Sequence, residues 1–461
     1  MFISDDESAS CGCLHTKANK SPGSAPFILR SQMARLKKAS WVALSLIFAS
    51  IACAAPTPAE ALREADAICR RDNGALWGVS LCGPMLLVDP KTRAVFANEP
   101  GPENQLKRDG DVFVGTLPEK INIANSAVDW AGTKWTMIML PLPEEKDRRA
   151  APMAHEMWHR IQSEIGLPAS AAAANNHLDT RDGRFWLQLE WRALAAALEA
   201  RGAARTEAVK DAALFRARRR ELFPEAANAE RDLELNEGLA EYTGAKLSGS
   251  PDLAGFVVGD ELKEAPTKKT FVRSFAYATG PAYGLLLDDT GGGWRQVVRS
   301  RRDLAELLLE RTGTTLPEKI EAAANECAPK YGSAELAANE DRREQNRRDL
   351  VKSYRARLID GPTLLIPLQK MNMQFDPGNL VPLDSLGTVY PNIRIVDNWG
   401  ILTVSKGGAL LSADFSRVTV PAPAKIVPPL IEGDGWTLRL NSGWSLRSGE
   451  RHGDFTLLFE R

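Results

Sequence analysis

The sequence predicts an α+β protein: a β-rich lobe and a helical lobe that together form one domain, followed by a separate β-rich domain. Three observations carry that prediction. Apolar residues recur at helical spacing over residues 147–330 of the 461-residue chain. Short runs suited to strands, punctuated by Gly and Pro, precede and follow that region. The first helix of the region carries His155-Glu156-x-x-His159. The boundaries that follow are an N-terminal extension and signal peptide over 1–54, a β-rich lobe over 55–146, a helical region over 147–332, a connecting helix over 333–361, and a C-terminal sandwich or barrel over 362–461.

The chain opens on polar residues without periodic pattern. It then runs through the basic stretch 33–40 and the apolar stretch 41–52 to the small residues Ala52, Cys53 and Ala54. This is the pattern of a secretory signal, with Met33 as a candidate start, and an apolar run of about a dozen residues is too short to span a bilayer. Lipoprotein processing at Cys53 ranks second, because Ser50 stands where an aliphatic residue is expected. The expectation is export to the periplasm or the exterior. Cleavage near Ala54 leaves 52 basic against 56 acidic side chains, a net charge of −4. So balanced a chain offers no field for nucleic acid, and it keeps no membrane span after cleavage. Nothing in it specifies an oligomer. Of the cysteines that remain, Cys69 and Cys82 flank a short loop whose closure adds about 3 kcal/mol in the chain-entropy model, which leaves Cys327 as a thiol.

Residues 55–69 predict a short helix, and strands are expected from Leu76 onward. The strongest strand, 134–141, lies directly upstream of the His-Glu helix; it either borders the cleft and pairs with an extended peptide or is a plain core strand. Ala154, Trp158, Ile161 and Ile165 give the His-Glu helix an apolar stripe, and Gly166-Leu167-Pro168 ends it. A helix follows through Leu187, Trp191, Leu194 and Leu198, stopped at Gly202. A second runs through Val209 and Phe215 to Pro224, with Arg216 to Arg220 read as a solvated face because Glu207, Asp211 and Glu221 lie on the same helix. His177 receives no role. The connecting helix places Leu350, Tyr354 and Leu358 on its buried side and breaks at Asp360-Gly361-Pro362. Beyond it, strands are expected at 363–366, 393–396, 401–404, 418–420, 436–440 and 455–459.

The chemistry centres on His155 and His159. Residues four apart share a helix face, so both imidazoles reach one metal ion while Glu156, about 100° round the axis, addresses a water activated there. Only five histidines occur in the chain, and two of them are here. A catalytic zinc site usually has three protein ligands, and the candidate for the third lies in Asn236-Glu237-Gly238-Leu239-Ala240-Glu241-Tyr242. Glu237 and Glu241 are again one turn apart, so one carboxylate can bind metal while the other holds a ligand histidine. Glu190 is the alternative ligand, set among Trp186, Leu187, Leu189, Trp191 and Leu194.

His155-Glu-x-x-His159 followed by Asn236-Glu-Gly-Leu-Ala-Glu-Tyr242 resembles the gluzincin metallopeptidases, the group that contains thermolysin and the alanyl-type aminopeptidases. The resemblance covers about residues 112–311. It implies a metallopeptidase-like catalytic domain with Zn2+ held by His155, His159 and Glu237, Glu156 as general base, and Glu241 orienting a ligand histidine. It further implies hydrolysis of a peptide or protein substrate. The spacing Tyr277-x-x-Gly280 resembles the aminopeptidases' tyrosine segment, where a phenol supports the oxyanion; Tyr283 is the competitor. Two departures stand out. Seventy-seven residues separate His159 from Glu237, which makes the helices at 185–222 an insertion, and no Gly-x-Met-Glu-Asn precedes the His-Glu helix, which argues against exopeptidase action. The rival readings are a secreted zinc hydrolase acting on a non-peptide substrate and an inactive peptidase-fold scaffold.

Overall fold

The computed structural model describes residues 56–460 apart from 102–103, 119–120, 169–174 and 376–378, so the signal segment, Met33 and Cys53 lie outside the described residues. The described chain begins with α1 (Pro58–Asp72). Its start is written locally: Thr57 and Glu60 form a reciprocal capping box, and Pro58 occupies a first-turn position where its missing N–H costs nothing. A Cys69–Cys82 disulfide, with Cα atoms 5.1 Å apart, ties the end of α1 to the chain just ahead of the first strand. Cys327 is a buried thiol, and burial pushes its pKa up to about 12.

Strands β1 (Met85–Val88), β2 (Ala94–Ala97), β3 (Lys107–Asp109), β4 (Val112–Thr116), β5 (Ser126–Trp130) and β6 (Thr133–Met139) make one sheet in the order β3-β4-β2-β1-β6-β5. Only the β1–β6 pairing is parallel. Alternation along β1 and β6 buries both faces. Met85, Leu87 and Ile138 enter the main core, whereas Leu86, Val88, Trp135 and Met137 enter a smaller core on the far side. Of the two readings of the strand at 134–141, the plain core strand is the one found. β6 is flanked by β1 and β5, and β5 is the edge strand on that side, beside α2 (Lys146–Ile161).

The helical region continues with α3 (Arg181–Glu199), α4 (Gly202–Leu222), α5 (Ala226–Leu233), α6 (Leu239–Leu247), α7 (Leu253–Phe256), α8 (Phe275–Asp288), α9 (Trp294–Val298), α10 (Leu304–Thr312), α11 (Ile320–Cys327) and α12 (Ser333–Arg355). Gly202 starts α4 in a left-handed conformation rather than ending α3. α3 and α4 form a hairpin, and α3 packs on α8 and α12. The arginines of α4 do not form a solvated face: Arg216 and Arg219 are 2% and 0% exposed. Their partners Glu190, Glu230, Glu234 and Asp303 come from other segments, which the charge pattern of α4 alone cannot reveal.

α12 passes through a π turn, Ala356–Asp360, into β7 (Thr363–Pro367). There follow β8 (Asn372–Phe375), β9 (Val381–Pro382), β10 (Thr388–Tyr390), β11 (Ile393–Asp397), β12 (Gly400–Val404), β13 (Ala409–Leu411), β14 (Arg417–Pro421), β15 (Lys425–Val427), β16 (Leu430–Gly433), β17 (Trp436–Leu440), β18 (Trp444–Ser448) and β19 (Phe455–Phe459). They form a sandwich of a seven-stranded sheet, β18-β19-β7-β14-β13-β10-β9, and a six-stranded one, β15-β16-β17-β12-β11-β8. One core fills the space between the sheets, with Ile366 and Val418 from the first and Leu402 and Leu438 from the second. Tyr354 and Leu358 at the end of the connecting segment cover the outer face of the first sheet at Val389 and Leu410; Leu350, expected beside them, is exposed. Among the described residues no helix is long and apolar enough to cross a membrane.

Candidate metal centre

α2 presents His155 and His159 on one face, as their spacing requires, with their Nε2 atoms 3.1 Å apart. The third group comes from a break in helical regularity. α5 does not run smoothly into α6; residues Glu234–Gly238 form a π turn, a feature that widens a helix by one residue and re-aims what it carries. That turn delivers Glu237, whose Oε2 lies 3.7 Å from each of the two Nε2 atoms. Close crossings bring the segments together. A Cβ on Gly244 of α6 would stand 2.6 Å from the Ala151 carbonyl of α2, and one on Gly280 of α8 would stand 2.2 Å from Gly238 Cα, so only glycine allows either approach.

Hydrogen bonding decides which atoms face the centre. Glu241, one turn beyond Glu237, accepts from His155 Nδ1 at 2.6 Å, which turns Nε2, the atom a metal would bind, toward the triangle. His159 is fixed through a longer chain. Glu237 Oε1 can only accept, so Asn236 Nδ2 donates to it at 2.8 Å; Asn236 Oδ1 accepts from Gln162 Nε2 at 2.8 Å; and Gln162 Oε1 accepts from His159 Nδ1 at 3.0 Å. The direction of the whole chain is set by the carboxylate, and its far end leaves the Nε2 lone pair of His159 facing that of His155. Arg273 donates to the same Glu237 Oε1 at 2.7 Å, and Oε2, which accepts from Tyr277, is the oxygen turned to the two histidines.

Three acceptor atoms thus converge, with edges of 3.1, 3.7 and 3.7 Å. The point equidistant from them lies about 2.0 Å from each, within the range of zinc bonds to imidazole nitrogen and carboxylate oxygen. Neutral imidazoles so arranged repel unless a cation or a proton lies between them. Without metal the proton takes that place: burial works against a charged His155, but the carboxylates of Glu237 and Glu241 outweigh it and raise its pKa to about 10. Glu237 itself, although buried, is held well below the usual carboxylate range by His155, His159 and Tyr277. Glu156 differs from it. Burial raises its pKa against the pull of the two histidines, its Oε1 stands 4.0 Å from His155 Nε2, and its buried Oε2 has no hydrogen-bond partner among the described residues.

Tyr277 stacks on His155, with ring centroids 5.6 Å apart, and donates its hydroxyl to Glu237 Oε2. Burial, and next the Glu237 charge, push its pKa above the ordinary phenol value. Tyr283 lies elsewhere, fully buried and bonded to Glu190 Oε1 at 2.8 Å. Glu190, the alternative ligand, is occupied by Arg216 and Arg219. His177 pairs with Glu230 at 2.8 Å.

No protein-family model, curated protein or solved structure matches this chain.

The site therefore rests on its own geometry. The structure brings together His155, Glu156, His159, Glu237, Glu241 and Tyr277, and it adds Gln162, Asn236 and Arg273, which sequence reasoning missed. Gln162 lies three residues after His159 and Asn236 directly before Glu237, so helical spacing could have found both. Glu261, in a second π turn (Val257–Leu262), lies behind Glu241; burial and then the Glu241 charge push its carboxyl well above the ordinary range. A cavity of about 520 Å³ opens beside Tyr277 and Arg273, with Glu261, Lys268, Thr270 and Ser274 on its walls.

Proposed function

We propose that this chain is an exported zinc peptidase of the gluzincin kind. The observation that carries the reading is the convergence of three lone-pair donors, His155 Nε2, His159 Nε2 and Glu237 Oε2, beside a buried carboxylate oxygen of Glu156 that has no partner among the described residues. A bound zinc ion supplies a positive charge that acidifies water and polarises a carbonyl. The chain's own residues do the rest. Glu156 Oε2 takes a proton from the attacking water as its oxygen bonds to the carbonyl carbon, then passes that proton to the amine nitrogen as the C–N bond breaks. Tyr277 offers its hydroxyl to the charge that develops on the carbonyl oxygen. β5, the terminal strand of its sheet and beside α2, suits an extended peptide added as a further strand. Export fits the Cys69–Cys82 disulfide and the signal pattern.

The test is a digest of mixed peptides by purified protein, with and without chelator, set beside the Glu156→Gln variant. Chelator-sensitive cleavage that the variant loses supports the reading. Bound zinc without cleavage of any peptide would move the site to another hydrolysis.

A further inference from the structure

The α3–α4 hairpin, an insertion by the resemblance to the gluzincins, grips the turn that carries Glu237 through Arg216. Arg216 of α4 is 2% exposed, and its guanidinium grips Glu234 with both ends, Nη1 to Oε2 at 2.8 Å and Nη2 to Oε1 at 2.5 Å. Glu234 is 1% exposed and opens the π turn that carries Glu237. The same guanidinium donates from Nε to Glu190 of α3 at 2.8 Å and lies 4.5 Å over the ring of Tyr283, which itself donates to Glu190. Tyr283 belongs to α8, the helix that also bears Tyr277 and whose Gly280 touches Gly238 of the π turn. One planar cation, fully withdrawn from water, therefore joins both halves of the insertion to the two segments that present Glu237 and Tyr277.

A π turn is less favoured than the α-helix on either side of it, and losing its extra residue would rotate Glu237 by about 100° around the axis. The third ligand would then leave the triangle. We propose that Arg216 is a positioning residue for the metal centre: by its two-pronged hold on Glu234, supplied from the inserted hairpin, it locks the π register that aims Glu237. This rests on the zinc reading above for its purpose, but the lock itself is a property of the metal-free protein.

The experiment removes one positive and one negative charge together, Arg216→Met with Glu234→Leu, because removing both members of a buried pair is often tolerated in folding where breaking it is not; Glu190 and Asp303, which Arg216 also contacts, keep Arg219 and Arg220. Hydrogen–deuterium exchange of amides 234–242 is read in the metal-free protein, and zinc affinity by competition with a chromophoric chelator. The lock predicts exchange at least tenfold faster in that segment with the overall Tm little changed, and zinc binding at least tenfold weaker. Arg216→Lys, which keeps the charge but not the fork, should resemble the double variant rather than the wild type. Unchanged exchange at 234–242, or exchange raised evenly over the whole chain, overturns the proposal. If the double variant does not fold, Glu234→Gln provides the same comparison. A wild-type protein that binds no zinc would sink the metal reading, while the exchange result would still decide the lock.

Discussion

Loading zinc into the centre should expel a proton, and the structure gives its source. In the metal-free protein His155 lies between Glu241 at 2.6 Å and Glu237 at 3.7 Å; burial opposes its charge, yet these carboxylates raise its pKa from 6.5 to about 10. At pH 7.5 it is imidazolium, and Nε2 carries the proton where the metal must bind. With about 1.4 kcal/mol for each pH unit, displacing that proton costs zinc about 3 kcal/mol at this pH. The sign follows from linkage. A raised pKa stabilises the metal-free fold fully below about 6.5 and loses that contribution as pH rises through about 10, so zinc affinity must rise over the same window. Titration calorimetry at pH 7.5 in buffers of different ionisation enthalpy should report about one proton released per zinc, and affinity should increase about tenfold per pH unit between pH 7 and 9. Glu241→Gln removes one of the two carboxylates and should lower the proton count at neutral pH. A heat independent of buffer, with affinity flat across that range, would refute the placement of His155.

Glu156→Gln should keep stoichiometric zinc and lose about 10²- to 10⁴-fold in kcat on a fluorogenic peptide, the range for a positioned base. Tyr277→Phe should lower kcat by about 10²-fold with zinc retained. Tyr283→Phe should leave kcat nearly unchanged and instead lower the denaturation midpoint, by about 1–3 kcal/mol of stability, because Glu190 loses a buried donor. Gln162→Leu breaks the chain that fixes His159 and should weaken zinc binding by about 10- to 100-fold, measured against a competing chelator; an unaltered affinity would show that His159 needs no such support.

What the sequence made legible was whatever depends on local spacing. The faces of α2 follow from a repeat of four, and so does the relation of Glu237 to Glu241. The disulfide was legible because Cys69 and Cys82 bound a short loop. Partners drawn from distant segments were not. Arg216 and Arg219 looked like a solvated face because their acidic partners lie on α3, on α5, in the π turn and ahead of α10, and no pattern within α4 records them. Whether the strand at 134–141 borders a cleft or lies in the core was not legible, because its parallel partner β1 lies about fifty residues upstream and β5 covers its other side. In the C-terminal sandwich the six strands expected at 363–459 are those with several apolar residues, alternating with less buried ones in β11, β12 and β17. The others, such as β8, β9 and β15, are short or exposed and take their form from neighbouring strands.

The central claim, that one zinc ion is held by three named atoms, is tested most directly by anomalous diffraction at the zinc edge from protein purified without added metal. The arrangement predicts one strong peak per chain, about 2.0–2.2 Å from His155 Nε2, His159 Nε2 and Glu237 Oε2. No peak in the triangle after soaking with zinc, or a peak held by other residues with these three left free, would contradict it.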